Sequence, residues 1–353
     1  MGAGLSGLSC AIILEQNGIS PDIFENRKQT GDRFVNCEIL LSVLSSPLDD
    51  AVKYFSENFN IILKPQSNIK TLEIHSPNQC ASISGNLGYT NLRGRIKNSF
   101  DKQLEEQVKS KIRFKSKKTY EELLHEYTHV VLATGDAAYA GEISNYNTEL
   151  TVKLKGAIIR GDFDINKVSA WFNNDFAPKG YSYLIPISQN EANIVIAYPE
   201  YSENKSVNTD KLWDLFKSHV KTYLNQNIEE YSHFEVSKYI IGVCEYPRIG
   251  NTFFVGNNFG SIMPFLGFGQ IEAILTGIYA GLDITDKGDY CQLTEPLRKS
   301  FYDSLTLRRT MEKLSNDNYD TFVKSLKGKI GQKLFNSKIN YLKIISKLLK
   351  PFI

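Results

Sequence analysis

The spacing of apolar residues predicts that the chain begins with a helix followed by a strand. Leu5, Leu8 and Ala11 recur at intervals of three residues, which places them on one face of a helix. Gly18 is a typical helix stop signal. The segment 21–25 is short and carries apolar residues, so we predict that a strand follows the helix.

Later apolar runs predict a second part of the chain that is rich in strands and a helical end. Residues 128–135 have the pattern of a buried strand that ends in a glycine turn. Residues 192–197 are similarly apolar and predict another strand. From about residue 289 onward the pattern is helical.

The end of the chain has the pattern of a basic amphipathic helix. Its apolar positions are Phe335, Ile339, Leu342, Ile345 and Leu349, and its polar positions are Asn336, Asn340, Lys343, Lys347 and Lys350. This pattern is typical of a helix on an anionic membrane surface, and equally of a cap that packs on the protein's own core. Both interpretations stay open.

Charge is distributed unevenly along the 353 residues. Residues 321–353 contain eight lysines and no acidic residue, so the net charge of +2 leaves −6 for the rest of the chain. The basic residues are not interleaved with aromatic stacking residues, and therefore we do not expect nucleic-acid binding.

Cysteine and histidine positions predict neither a disulfide framework nor a metal site. The five cysteines are widely scattered, and no pair has C-x-x-C spacing. The five histidines have no motif context. No apolar run reaches the roughly 20 residues that span a bilayer, and no signal peptide is present. We therefore expect a cytoplasmic protein, which would be peripheral if its last helix lies on a membrane.

The first eight residues contain a G-x-G-x-x-G pattern, typical of a dinucleotide site. Glycine permits a tight turn at Gly2, close approach of a pyrophosphate at Gly4, and helix–strand packing at Gly7. Glu25 follows where an acidic side chain would accept hydrogen bonds from the ribose hydroxyls. The glycines, the helix, the strand and the acidic residue follow one another in the order of a dinucleotide-binding motif. This order predicts dinucleotide binding.

One requirement of this motif is unmet in the sequence. The fold needs a strand before the first glycine, and only Met1 precedes Gly2. We expect a trimmed or misassigned start. The alternative, a missing central strand, predicts a gap in the parallel sheet beneath the cofactor.

Four further segments give the chain a more specific resemblance. They are Gly88–Gly94 before the helix that starts near Ser99, Thr128–Gly135, Gly180–Pro186, and Phe253–Gln270. In this order they resemble the para-hydroxybenzoate hydroxylase superfamily of FAD enzymes, and within it the geranylgeranyl reductase group. The resemblance covers about residues 1 to 290 and implies FAD as cofactor, with an external reductant such as NAD(P)H or a reduced electron carrier.

The motif and the resemblance together imply a set of cofactor-binding residues. They are Gly2, Gly4, Leu5, Ser6, Gly7, Glu25, Arg93, Gly135, Gly256, Asn257, Gly267 and Gly269. Arg95 is a rival of Arg93. Asn257 stands where the family carries Asp, and Met263 replaces the acidic residue before Pro264.

The resemblance also implies residues beside a substrate. Tyr181, Tyr183 and Pro186 stand in place of the group's Tyr-x-Trp-x-Phe-Pro segment, and Pro264 belongs to the loop behind the flavin. Cys37 follows a Gly-Asp pair as in the reductases, so it would donate a proton or line a substrate tunnel; the alternative is a small buried apolar residue.

The predicted fold class is α/β, with a Rossmann-like FAD-binding domain, an interleaved α+β substrate domain and a helical C-terminal region. The FAD-binding domain is assigned to 1–45, 86–148 and 236–288, the substrate domain to 46–85 and 149–235, and the helical region to 289–353.

Three functions follow as hypotheses. The first is an FAD-dependent reductase that acts on carbon–carbon double bonds of an isoprenoid or other lipid. The second is a monooxygenase of the same superfamily. The third, from another class, is a degenerate flavin fold that serves as a membrane-binding module; Asn257 and the missing strand motivate it. The sequence carries no signal for the oligomeric state.

Overall fold

A computed structural model describes residues 1–33, 35–44, 48, 50–204 and 207–336. Its α-helices are α1 (Leu5–Gln16), α2 (Ala51–Phe59), α3 (Phe100–Gln107), α4 (Tyr120–Glu126), α5 (Ala138–Glu142), α6 (Thr209–Leu224), α7 (Gln270–Ile284), α8 (Tyr290–Met311), α9 (Asn316–Ser325) and α10 (Lys329–Phe335). Its strands are β1 (Ile23–Phe24), β2 (Asn36–Leu41), β3 (Ser67–His75), β4 (Cys80–Arg93), β5 (Ile112–Arg113), β6 (Val130–Leu132), β7 (Tyr146–Arg160), β8 (Lys167–Trp171), β9 (Tyr181–Pro186), β10 (Glu191–Pro199), β11 (Glu229–Cys244), β12 (Arg248–Ile249) and β13 (Thr252–Phe254).

A large sheet forms one half of the molecule. Its strand order is β11-β7-β10-β9-β8-β3-β4-β2, and all neighbours are antiparallel except β3 and β8. Helix α6 packs on it through Trp213, Phe216 and Val220, which meet Trp171 and Ile194 in one apolar cluster. The mixed α/β architecture predicted from the sequence is present.

The large sheet draws on both sets of predicted domain ranges. Strands β3, β7, β8, β9 and β10 fall largely in the ranges assigned to the substrate domain. Strand β2, most of β4 and the second half of β11 fall in the ranges assigned to the cofactor domain, yet they pair within the same sheet. The sheet therefore connects the two regions.

The parallel sheet of the other half is split by a gap. Strand β1 pairs with β5, and β6 pairs with β13, but these are two separate sheets. Met1 and Gly2 bridge their ends: the Met1 amino group donates to the Val131 carbonyl at 2.8 Å, and the Gly2 N–H donates to the Phe24 carbonyl at 2.7 Å. Behind this bridge lies a cavity that encloses about 1170 Å³, part of it open to solvent. The parallel strands on either side of this cavity therefore belong to two separate sheets.

Helices α1 and α7 pack so closely that two positions of α7 need glycine. A Cβ atom at Gly277 would lie 2.0 Å from the Ser6 carbonyl oxygen, and one at Gly281 would lie 2.8 Å from the Ile13 Cβ. This packing fixes the beginning of α1, which faces the candidate site.

The described part of the chain's end packs on the protein. Leu334 and Phe335 of α10 join the apolar cluster that holds Ile83 of the large sheet, and the Asn336 amide donates to the Ser84 carbonyl at 3.1 Å. The rest of the predicted amphipathic helix, including Ile339, Leu342, Ile345 and Leu349, lies outside the described residues. Among those described, no helix combines the length and apolar character needed to cross a bilayer.

Candidate functional site

The glycine turn at the start of the chain opens α1 towards a cleft. A Cβ atom at Gly2 would lie 2.2 Å from the Ala133 carbonyl oxygen, and one at Gly7 would lie 2.1 Å from the Gly2 carbonyl oxygen. At Gly4, by contrast, a Cβ would meet nothing within 4 Å. Gly2 and Gly7 are therefore needed for internal packing, whereas Gly4 borders open space.

The amino end of α1 has the properties of an anion site. Gly4 precedes the helix, no side chain caps its first N–H groups, and its first turn carries no acidic residue. Free N–H groups and the helix dipole together favour a negatively charged group at this position. A diphosphate would fit in the space beside Gly4.

Glu25 connects the glycine turn to the end of β1. Its carboxylate accepts hydrogen bonds from the Ala3 and Arg27 backbone N–H groups, both at 2.9 Å. Both oxygens thus hold the loop in place, and each retains a lone pair for a ligand hydroxyl. The predicted ribose contact remains a prediction, and the structure adds a positioning role.

Most of the predicted cofactor residues line one cleft. It encloses about 1040 Å³, part of it open to solvent, and its lining includes Gly4, Leu5, Ser6, Glu25, Arg93, Gly135, Gly256, Asn257, Gly267 and Gly269. Gly2 and Gly7 line the cavity of the sheet gap instead. Arg93 faces the cleft, whereas its rival Arg95 is exposed and is not among the residues lining it.

Asn257 is held by three neighbours on the cleft wall. Its amide donates to the Gly135 carbonyl at 2.7 Å and to the Tyr239 hydroxyl at 3.2 Å. Its Oδ1 accepts a hydrogen bond from Ser261 at 3.2 Å. The amide nitrogen donates both of these hydrogen bonds, which a carboxylate in this place could not do. The local packing is therefore suited to Asn257 and not to the Asp that the resemblance implies here.

A second, apolar cavity adjoins the cleft. It encloses about 1540 Å³ and includes Tyr181, Tyr183 and Pro264 in its lining. Most of its other lining residues are aliphatic or aromatic, among them Leu72, Ile74, Leu150, Val152, Val168, Phe172, Ile185, Ile241 and Phe265. Pro186, which the resemblance placed at the substrate, is not among the residues that line it.

Tyr181 and Tyr183 lie on one face of β9, as expected of residues two apart on a strand. Their ring centroids are 5.9 Å apart. The Tyr181 hydroxyl donates to the Leu266 carbonyl, and the Tyr183 hydroxyl donates to Asn36 Oδ1 at 3.2 Å. Burial raises the pKa of both phenols, so both stay neutral.

The cleft and the apolar cavity share part of their walls. Glu38, Tyr239, Ile262 and Gly267 line both. Of these shared residues, only Gly267 was predicted from the sequence as a cofactor-binding residue.

A polar chain runs through the junction. The Asn36 amide donates to Glu38 Oε1 at 3.3 Å, and the Arg93 guanidinium lies 3.6 Å from Glu38 Oε2. Arg93 also donates to both Asp101 carboxylate oxygens, at 2.8 and 3.2 Å. The chain continues to the apolar cavity through the bond from Tyr183 to Asn36. It depends on the pairing of β2 with β4, which sets Asn36 opposite Arg93.

Glu38 is the functional candidate that the sequence reasoning missed. Burial raises the pKa of its carboxyl, and the positive charge of Arg93 opposes that shift. A carboxyl with a raised pKa, at the junction of two cavities, is a candidate proton donor. No motif marks this position, and only the strand pairing brings it to the cleft.

Cys37 lies next to Glu38 on the apolar side. Its side chain is completely buried and lines the apolar cavity, with its sulfur 4.0 Å from the Pro186 carbonyl. Burial and the nearby Glu38 charge raise the pKa of the thiol, so it stays protonated. This placement agrees with both alternatives, a cavity-lining thiol that holds a proton and a small buried residue.

The fold is similar to those of several flavin-dependent proteins of known structure. A geranylgeranyl bacteriochlorophyll reductase-like protein from Thermoplasma acidophilum superposes with a TM-score of 0.72 at 17% identity, covering 99% of this chain and 96% of that one. The flavin-dependent brominase Bmp2 gives a TM-score of 0.63 at 14% identity, covering 99% and 97%. The flavin-dependent monooxygenase PieE, solved with FAD and substrate, gives 0.60 at 10% identity, covering 99% and 71%.

The superfamily resemblance drawn from the motifs is thus confirmed at the level of the fold. No protein-family model matches the chain. At identities of 10 to 17%, the likeness defines the architecture, and the chemistry has to be argued from the residues of the site.

Proposed function

We propose that the chain binds FAD in the cleft and acts as an FAD-dependent oxidoreductase. The observation that carries this proposal is the open space at Gly4, next to an uncapped helix end and continuous with an apolar cavity. The cleft would accept the diphosphate at Gly4 and the ribose at Glu25. Asn257, Gly267 and Gly269 would border the flavin end.

The finer proposal is reduction of a carbon–carbon double bond in an isoprenoid or other lipid. The apolar lining of the second cavity supports an apolar substrate. When bound, reduced flavin would supply a hydride. We expect its electrons to come from an external reductant, because the sequence carries a single dinucleotide motif. The chain's own residues exclude water from the apolar cavity and orient the double bond against Tyr181 and Tyr183.

Reduction of the double bond also requires a proton, which is added to the carbon that does not receive the hydride. Glu38 is placed to supply it from the junction, because its raised pKa favours the protonated form. Cys37 is the neighbouring alternative, since its buried thiol also holds a proton. Arg93 and Asn36 orient the Glu38 carboxyl through the contacts described above.

Oxygen-dependent hydroxylation is the second candidate function. It is favoured by the monooxygenase and the brominase that share this fold across 99% of the chain. Anaerobic turnover of an isoprenoid alkene by the chemically reduced protein would support reduction. NAD(P)H consumption that requires oxygen and yields a hydroxylated product would support hydroxylation instead.

Membrane recruitment through the C-terminal basic segment remains a separate proposal. It predicts that the chain co-sediments with anionic vesicles and that a chain ending at residue 336 does not. Equal sedimentation of the two chains would contradict it.

The cofactor proposal can be tested at Gly4. Gly4 has φ −94°, which other residues adopt, and a Cβ there meets nothing within 4 Å, so Gly4→Glu should fold. Its carboxylate would occupy the space proposed for the diphosphate, so we expect FAD affinity to fall by about 100-fold or more. Gly141→Glu is the matched control, because a Cβ there also meets open space but Gly141 does not line the cleft. Fluorescence titration with FAD measures both, and equal affinities for the two variants would overturn the proposed site.

A further inference from the structure

One end of the β3–β4 hairpin gathers three side chains that can ligate a metal. Glu73 and His75 are two residues apart on β3 and therefore project from the same face. Cys80, the first residue of β4, is the cross-strand partner of His75. A sequence spacing of E-x-H-x4-C thus becomes a compact group of carboxylate, imidazole and thiol.

Two of the distances within this group lie close to the edges of a metal-centred tetrahedron. His75 Nε2 lies 3.3 Å from Glu73 Oε2 and 3.8 Å from Cys80 Sγ, and the three ligand atoms all lie within 4.8 Å of one another. Zinc bonds of about 2.0–2.1 Å to nitrogen, 2.0–2.2 Å to oxygen and 2.3 Å to sulfur require edges of about 3.3 to 3.7 Å in a tetrahedral site. Small rotations of the exposed Cys80 side chain bring the sulfur into that range.

Neighbouring residues already hold two of the three ligands in position. The Glu73 carboxylate accepts a hydrogen bond from the Tyr223 hydroxyl at 2.6 Å and lies 3.0 Å from Lys167 Nζ. The His75 ring stacks on Trp171, with centroids 5.1 Å apart and planes at 17°. Such outer contacts orient metal ligands and restrict their rotamers.

We propose that Glu73, His75 and Cys80 bind a zinc ion, with the fourth coordination position facing solvent. Thiolate, imidazole and carboxylate are all zinc ligands, and a thiolate disfavours magnesium and calcium. Binding would replace the Glu73–His75 hydrogen bond by two metal bonds and release the thiol proton of Cys80 to solvent.

This site is independent of the proposed flavin chemistry. Glu73, His75 and Cys80 are absent from the described lining of both the cleft and the apolar cavity. The sequence analysis predicted no metal site because no cysteine pair has C-x-x-C spacing; here a single cysteine meets its partners through strand pairing instead. The ion would fasten the two strands together at the turn end of the hairpin.

The test uses the full chain, reduced, stripped with a chelator and titrated with zinc against a chromophoric competitor. We expect one zinc per chain. Cobalt in place of zinc should give the near-ultraviolet charge-transfer band of a thiolate ligand. Cys80→Ser should abolish that band and weaken zinc binding about 100-fold or more.

Cys291→Ser is the matched control, because Cys80 and Cys291 are both exposed free cysteines. This variant should bind zinc like the unmodified chain, and His75→Gln should weaken binding without loss of the circular dichroism of the fold. Failure of the unmodified chain to bind zinc stoichiometrically would overturn the proposal and leave the trio as a hydrogen-bonded cluster. So would equal binding by the Cys80 and Cys291 variants.

Discussion

The Arg93 guanidinium is paired with the Asp101 carboxylate through two hydrogen bonds of 2.8 and 3.2 Å. Asp101 lies in the first turn of α3 and also accepts the Gly94 N–H at 2.9 Å. This pair fixes an arginine that faces the cleft, and it links β4 to α3 on the cleft wall.

Asp101→Asn should therefore destabilise the fold. The substitution leaves the partly buried Arg93 without a full counter-charge, and removing one partner of such a pair costs about 3 kcal/mol. Urea denaturation measures the loss of unfolding free energy. Glu229→Gln is the control, since its pair with Arg160 is exposed on both sides and should contribute below about 1 kcal/mol. Similar losses in both variants would contradict a special role for the Arg93–Asp101 pair.

Because α1 packs closely on α7, we expect Gly277→Ala to lower the free energy of unfolding. In an open helix this change would add up to about 1 kcal/mol of stability through helix propensity. Here the new Cβ would lie 2.0 Å from the Ser6 carbonyl oxygen, and overpacking of this kind costs about 1–3 kcal/mol. Because α1 begins at the cleft, FAD affinity should fall as well. Gly141→Ala, where a Cβ meets open space, should retain both stability and FAD affinity.

Glu38 and Cys37 can be distinguished as proton donors by the pH dependence of turnover. If Glu38 donates the proton, the rate with an isoprenoid alkene falls as the pH rises through its raised pKa. Glu38→Gln should then lower the rate about 100-fold and abolish that dependence, with FAD still bound. Cys37→Ser should keep the pH profile. If Cys37→Ser abolishes the pH dependence and Glu38→Gln keeps it, Cys37 is the proton donor instead.

The sequence was informative where function depends on local chain geometry. The three glycines act within one turn, and the alternation of Tyr181 and Tyr183 follows from a strand's period of two, so both features were predictable. The role of Glu38 was not predictable, because its position at the cleft depends on the pairing of β2 with β4. This pairing joins Glu38 to a residue more than fifty positions further along the chain. The position of Tyr239 at the cleft was not predictable either. Its strand, β11, pairs with β7 through three register shifts, and no local sequence pattern indicates them.

Contacts between distant segments also explain why the sequence did not indicate the group of Glu73, His75 and Cys80. Glu73 and His75 share a strand face, but Cys80 joins them only when the hairpin closes. Strand β2 and most of β4 lie in ranges assigned to the cofactor domain, and they hydrogen-bond at the end of the large sheet. The domain division itself stays a prediction.

The most direct test of the account is the visible absorption spectrum of the purified chain after incubation with excess FAD and gel filtration. The account predicts one bound flavin per chain, with an absorption band that bleaches on chemical reduction. A folded protein that elutes colourless after saturation with FAD would contradict it.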